Sequence, residues 1–142
     1  MKKQLAVLTI PLVLTACSST GDLAQVSADD LQHHNWTLTK IDNEVFVTPN
    51  LMQAPNLEIG EKLTANGNAG CNNFFGQGEL KNNQFRITGM GMTMKMCMGE
   101  AMKTEAVFAQ SLAEWNDIIL TKENLVLKNS AHTLTFKLSD WK

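Results

Sequence analysis

The chain has 142 residues, with 12 basic and 14 acidic side chains and a formal charge of −2. That length suits one domain of ordinary size, and neither a repeat nor a composition break marks a second. No basic patch or run is present, which argues against nucleic-acid binding, and nothing after residue 17 is long and apolar enough to span a bilayer.

Residues 1–16 read as a secretory signal rather than as part of a fold. Lys2 and Lys3 form a basic start, and Leu5 to Leu14 is apolar apart from Thr9 and Pro11. A membrane-spanning helix needs about 20 apolar residues, and this run is too short. Leu14-Thr15-Ala16-Cys17 resembles the lipobox of bacterial lipoproteins, which implies cleavage before Cys17 and acylation of that residue. An ordinary cleaved signal followed by a chance cysteine is the alternative. By the sorting rule for such lipoproteins, Ser18 after the cysteine points to the outer membrane, with the domain facing the periplasm. Loss of Lys2 and Lys3 takes the formal charge from −2 to −4. Residues 17–27 are the expected lipidated N-terminus and tether, and residues 28–142 the expected domain.

Ser27-Ala28-Asp29-Asp30 predicts a short helix, capped by Ser27, that ends near His33 or His34. From Trp36 the period becomes two. Strands are expected at 36–41, 44–48, 57–59 and 63–65, with Asp42-Asn43 as a hairpin turn. Asn66 to Asn73 is dense in turn formers, so the backbone there is expected to bend sharply. Phe74 to Leu80 and Gln84 to Thr88 are extended around Lys81-Asn82-Asn83, with Gly76 and Gly78 on the face opposite Phe75.

Met90-Gly91-Met92-Thr93-Met94-Lys95-Met96-Cys97-Met98 follows. As a strand it sorts five thioethers to one face and Gly91, Thr93, Lys95 and Cys97 to the other. Residues 100–115 form the one long helix, with Met98, Ala101, Met102, Phe108, Ala109, Leu112, Ala113 and Trp115 in one half of the wheel. Ser111 falls on the polar side. Glu105 points into the apolar arc, where a carboxylate needs donors. Strands at 117–121, 125–128 and 133–138 end the chain. The expected class is α+β, a small antiparallel barrel-like half-barrel of about eight short strands wrapped around one helix.

If Cys17 carries lipid, Cys71 and Cys97 form an even pair in an oxidising compartment, and a disulfide is expected. Two free thiols are the alternative. A two-cysteine metal site has little support, because His33, His34 and His132 lie far off in sequence.

The run Gly70-Cys71-Asn72-Asn73-Phe74-Phe75-Gly76, then Met92-Thr93-Met94-Lys95-Met96-Cys97, then a helix bearing Glu105, resembles the META domain. The resemblance covers residues 29–142. It implies a barrel-like sheet on one helix, as in some secretion pilot lipoproteins, and an envelope role tied to heat or other stress. It makes Gly70, Asn72, Gly76, Thr93 and Glu105 motif residues, and it carries over no catalytic residue. The methionine density exceeds the usual pattern of the family.

For Met90, Met92, Met94, Met96, Met98 and Met102 the leading reading is core packing, since methionine fills irregular gaps. An adaptable apolar groove for a partner segment or a hydrophobic ligand is the second, and thioether binding of Cu(I) or oxidant handling the third. Exposure of these side chains decides among them. Glu105 is expected to accept N–H groups from the turn around Gly70-Cys71-Asn72. No nucleophile motif or phosphate loop is present, and no cofactor or metal ligand is assigned. The expectation is a non-enzymatic outer-membrane lipoprotein that binds an envelope protein or a hydrophobic ligand. A pilot or chaperone-like role for secreted or outer-membrane proteins is the runner-up, resting on fold analogy.

Overall fold

The computed structural model describes residues 25–49 and 52–140. The signal, Cys17 and most of the tether therefore lie outside the described residues. Nine strands and two α-helices make up the described part, in the order α1 (Ala28–Leu31), β1 (His34–Ile41), β2 (Glu44–Val45), β3 (Asn56–Ile59), β4 (Thr64–Asn68), β5 (Asn73–Lys81), β6 (Gln84–Met92), α2 (Glu100–Ala113), β7 (Asn116–Leu120), β8 (Asn124–Lys128) and β9 (Thr133–Leu138).

All neighbouring strands are antiparallel. Pairing of β1 with β9, from Trp36↔Leu138 to Ile41↔Leu134, closes eight strands into a barrel, while β2 is a short arm on the end of β1. The seam between β6 and β7 holds only two residue pairs, Gln84↔Asp117 and Phe85↔Asn116. The helix α2 connects these two strands, which is how a half-barrel and a closed hydrogen-bonded ring coexist. The expected half-barrel of about eight strands is thus the observed architecture.

Alternation along the strands fills the interior. Trp36, Leu38, Leu57, Ile59, Phe74, Phe85, Ile87, Leu125, Leu127, Leu134 and Phe136 are all buried. Phe108 of α2 plugs the barrel, its ring 5.7 Å from that of Phe74 and 5.9 Å from that of Phe136. Gly76 and Gly78 face inward on β5 and leave the space that Ile87 and Phe85 occupy, since a Cβ at either would collide with those side chains.

Several elements differ from the sequence expectation, among them β4, which stays a strand to Asn68 through residues expected to turn. The first helix ends at Leu31 and the chain turns through His33 at φ 63°. The hairpin after Asp42-Asn43 keeps only Glu44 and Val45 in ladder, with Val45 and Val47 in solvent. The long helix stops at Ala113, and its buried stripe is Thr104, Phe108, Ser111 and Leu112. Met102 and Ala113 are exposed, and Trp115 lies past the helix with the Arg86 guanidinium 4.4 Å over its ring. The physical reason is the close seat of the helix. Small Ser111 lets the side-chain amide of buried Asn116 reach the Ser111 carbonyl at 2.8 Å and cap the helix end.

In an antiparallel barrel successive turns alternate between two ends. Turns 60–63, 82–83 and 121–123 lie at one pole, and α1 sits there: the Val26 N–H donates to Asn83 Oδ1 at 2.8 Å and the Lys62 N–H to Gln32 Oε1 at 2.6 Å. Turns 42–43, 69–72 and 129–132 and residues 93–99 lie at the opposite pole. Helix α1 and the methionine run therefore sit at opposite ends of the barrel.

Candidate functional site

The methionine run is a strand only as far as Met92. Within β6 a bulge sets Gly89 and Met90 opposite the single residue Gly76, with Gly89 at φ 60°. The bulge switches the inward face from Phe85 and Ile87 to Met90 and Met92, which pack against the core. The ladder ends where its partner β5 begins: the Thr93 N–H donates to the Asn73 carbonyl at 3.0 Å, and the Asn73 N–H to Thr93 Oγ1 at 3.1 Å. Beyond that point the described residues offer no neighbouring strand, and the expected core role for Met94, Met96 and Met98 is overturned. Met94 and Met96 are each 97% exposed and Met98 is 91% exposed.

The other side of the loop is held firmly. Asn72, 3% exposed, takes the place of the missing strand. Its Oδ1 accepts from the Lys95 N–H at 2.6 Å and from Thr93 Oγ1 at 2.9 Å, and its Nδ2 donates to the Lys95 carbonyl at 3.1 Å. Its own backbone N–H donates to Glu105 Oε2 at 2.6 Å, and its Nδ2 also reaches Glu105 Oε1 at 3.0 Å. Glu105 thus meets both the backbone and the side chain of the turn residue, in an environment only partly screened from water. Cys97 is bonded to Cys71, with 6.0 Å between their Cα atoms, which pins the far end of the loop.

The turn itself is packed. Gly70 sits at φ 120°, and a Cβ there would lie 2.9 Å from Met52 Cε and 3.4 Å from the Ala101 carbonyl of α2. The Gly70 N–H donates to Asn68 Oδ1 at 2.8 Å, and Asn68 Nδ2 donates to Asn73 Oδ1 at 2.9 Å. The residues Gly70, Asn72, Thr93 and Glu105 and the two cysteines are therefore brought together at one pole, while Gly76 lies within the barrel wall. Cys17 lies outside the described residues.

A cleft of about 510 Å³ opens beside this framework, lined by Met52, Gln53, Asn68, Lys95, Met98 and Glu100 among others, with the disulfide in its wall. The sequence offered no signal for Met52 and Gln53, which arrive through the long connection before β3. Among the described residues, no group of three His, Cys, Asp or Glu side chains is placed to hold a metal ion.

Two histidines find carboxylates elsewhere. His132 Nδ1 lies 2.7 Å from Asp42 Oδ2 at the methionine pole, and His34 Nδ1 lies 2.7 Å from Asp140 Oδ2 at the other. The hydrogen bond from His132, followed by that from the Thr133 N–H, holds the Asp42 carboxyl below its ordinary value of 3.8. Each pair ties an end of β1 to the neighbouring end of β9 at one pole of the barrel, and neither lines the cleft.

Comparison with known proteins agrees with this architecture. The chain is 30% identical to the Heat shock protein HslJ of Escherichia coli strain K12 over 141 residues, 99% of this chain and 98% of that one. A protein structure solved by NMR, also 30% identical, superposes with a TM-score of 0.70 over 81% of this chain and 97% of its own. An NMR structure of a protein from Burkholderia xenovorans, at 19% identity, has the same fold, with a TM-score of 0.66 over 98% of this chain and 97% of that one. The META domain matches residues 29–141, and the chain belongs to the META domain family.

Proposed function

We propose that the protein is a non-enzymatic, lipid-anchored protein of the outer membrane, facing the periplasm, that acts under envelope or heat stress by binding an extended segment of another envelope protein. The observation that carries this reading is the pairing of a rigid frame with an exposed apolar edge. Met94, Met96 and Met98 project from a loop that Asn72 and the disulfide hold still, beside a cleft of about 510 Å³. Large exposed apolar side chains that cluster mark interaction sites, and methionine suits partners of varying shape.

A protein segment fits better than an acyl chain. The cleft mixes Met52 and Met98 with Gln53, Asn68, Lys95 and Glu100, and such a lining suits a peptide backbone with apolar side chains. Its position supports the same reading. The N-terminal segment joins the barrel at the pole opposite the methionine loop, so an anchor at Cys17 leaves that loop facing away from the attachment. The similarity to a heat shock protein supports the link to stress.

A photo-crosslinking residue at position 96, introduced into the full chain in cells under heat stress, tests this. Discrete protein adducts are expected from position 96 and none from position 122 at the opposite pole. The adducts should disappear in a Met94→Asp, Met98→Asp background. Equal labelling from both positions, or adducts to lipid only, would contradict it.

A further inference from the structure

The same loop carries chemistry beyond an apolar edge. Thioethers are neutral, soft donors that select Cu(I) and its analogue Ag(I) over harder divalent ions. Three of them, Met94, Met96 and Met98, stand at every second position with at least nine-tenths of each side chain in solvent. None serves the core. The intervening residues are the ones tied down: Thr93 and Lys95 to Asn72, and Cys97 to Cys71.

A shared ion requires the three side chains to fold toward one another. Successive same-face residues of an extended chain are about 6.6 Å apart, and a methionine reaches across that gap through its three rotatable side-chain bonds. The loop runs free of any ladder past Thr93, and its outward thioethers turn toward one another by side-chain rotation while Asn72 and the disulfide hold the backbone. Met102, 40% exposed on the first turns of α2, adds a fourth thioether to the same loop–helix segment.

The competing donors are few. Cys71 and Cys97 are consumed in their disulfide, and among the described residues no histidine–carboxylate cluster offers a borderline or hard site. The ammonium of Lys95 lies on an exposed residue of the same loop and favours a monovalent over a divalent ion.

We propose that Met94, Met96 and Met98 form an all-thioether site for a soft monovalent cation, Cu(I). Binding is by coordination alone, with no change of oxidation state in the protein and no proton released. The site goes beyond the partner reading and does not depend on it.

Silver nitrate in chloride-free buffer is the probe. Titrated into the purified chain with its disulfide intact and its methionine methyls labelled, one equivalent should shift the methyls of Met94, Met96 and Met98 and leave Met90 and Met92 in place. Cu(I) should be retained at one equivalent against a chromophoric chelator, and Zn(II) should not. The triple variant Met94→Leu, Met96→Leu, Met98→Leu should lose at least tenfold in Ag(I) affinity with an unchanged melting temperature. Leucine keeps the apolar edge, so crosslinking of a protein partner from position 96, with leucine kept at 94 and 98, should survive the loss of metal. Absence of any methyl shift, retention of Zn(II) equal to that of Ag(I), or undiminished binding by the triple variant would overturn the site.

Discussion

Asn72 and Glu105, 33 positions apart, are joined twice: the Asn72 N–H donates to Glu105 Oε2 at 2.6 Å and the Asn72 side-chain amide to Glu105 Oε1 at 3.0 Å. One carboxylate thereby fixes the residue whose side chain stands in for a strand beside Thr93 and Lys95. In Glu105→Gln the new amide group can accept at only one of the two places. The expected loss is about 1–3 kcal/mol, the cost of a buried N–H left without its charged acceptor. Thermal or urea unfolding of the variant measures it, and an unchanged midpoint would mean that the pair does not hold the turn.

Truncation at Asn72 should cost more than at Glu105. Asn72→Ala removes both acceptors and donors from the loop and leaves the Lys95 N–H and carbonyl unpaired. Amide hydrogen exchange should accelerate at Lys95, whose N–H loses its acceptor, while Phe85 and Leu134 in the barrel stay protected.

The disulfide closes a loop between residues 26 apart in sequence, and chain-entropy reasoning sets its contribution at about 3 kcal/mol. Unfolding in the presence and absence of reductant should differ by that order. With the disulfide reduced, the cleft wall between Cys71 and Met98 should open first, since the barrel ladders do not pass through it.

Glycine at position 70 is required twice over, by φ 120° and by the close approach of Met52 and the Ala101 carbonyl. Gly70→Ala should destabilise by at least about 1 kcal/mol, since both strain and contact oppose a Cβ. The increment should fall in Met52→Ala, which removes the nearer neighbour.

Acid should weaken the methionine pole through Asp42. Its carboxyl is held below 3.8 in the folded chain, first by the hydrogen bond from His132 and then by that from the Thr133 N–H. The unfolded chain therefore takes up this proton first as pH falls. The contribution is present above 3.8 and is lost as pH drops through the lower folded value. Asp42→Asn should melt below the parent chain at pH 6, with the gap narrowing toward pH 3. The effect is small, because the pair is exposed.

The barrel was largely legible in the sequence because its signals are local. Alternation at Trp36-Leu38 and Leu125-Leu127, the Asn-rich turns and the helical period around Phe108 each speak within a few residues. The methionine run misled for a non-local reason. Alternation reports a two-faced strand, but whether a face has a core to meet depends on where the neighbouring strand starts, and β5 starts at Asn73. The five thioethers do not share one packed face: Met90 and Met92 meet the core, Met94, Met96 and Met98 stand in solvent, and past Met92 it is the face of Thr93, Lys95 and Cys97 that is anchored. Gly89 was the local hint of the bulge that shifts the register. Ser111 was unreadable as a buried residue, because its burial comes from the small space left for Asn116. Met52 and Gln53 carry no pattern at all and reach the cleft through chain connectivity.

One methionine run divides into two packed and three presented side chains. Relaxation of labelled methionine methyls by a soluble paramagnetic agent measures that division directly. Strong broadening is predicted for Met94, Met96 and Met98 and weak broadening for Met90 and Met92. Protection of Met94, Met96 and Met98 equal to that of Met90 would contradict it.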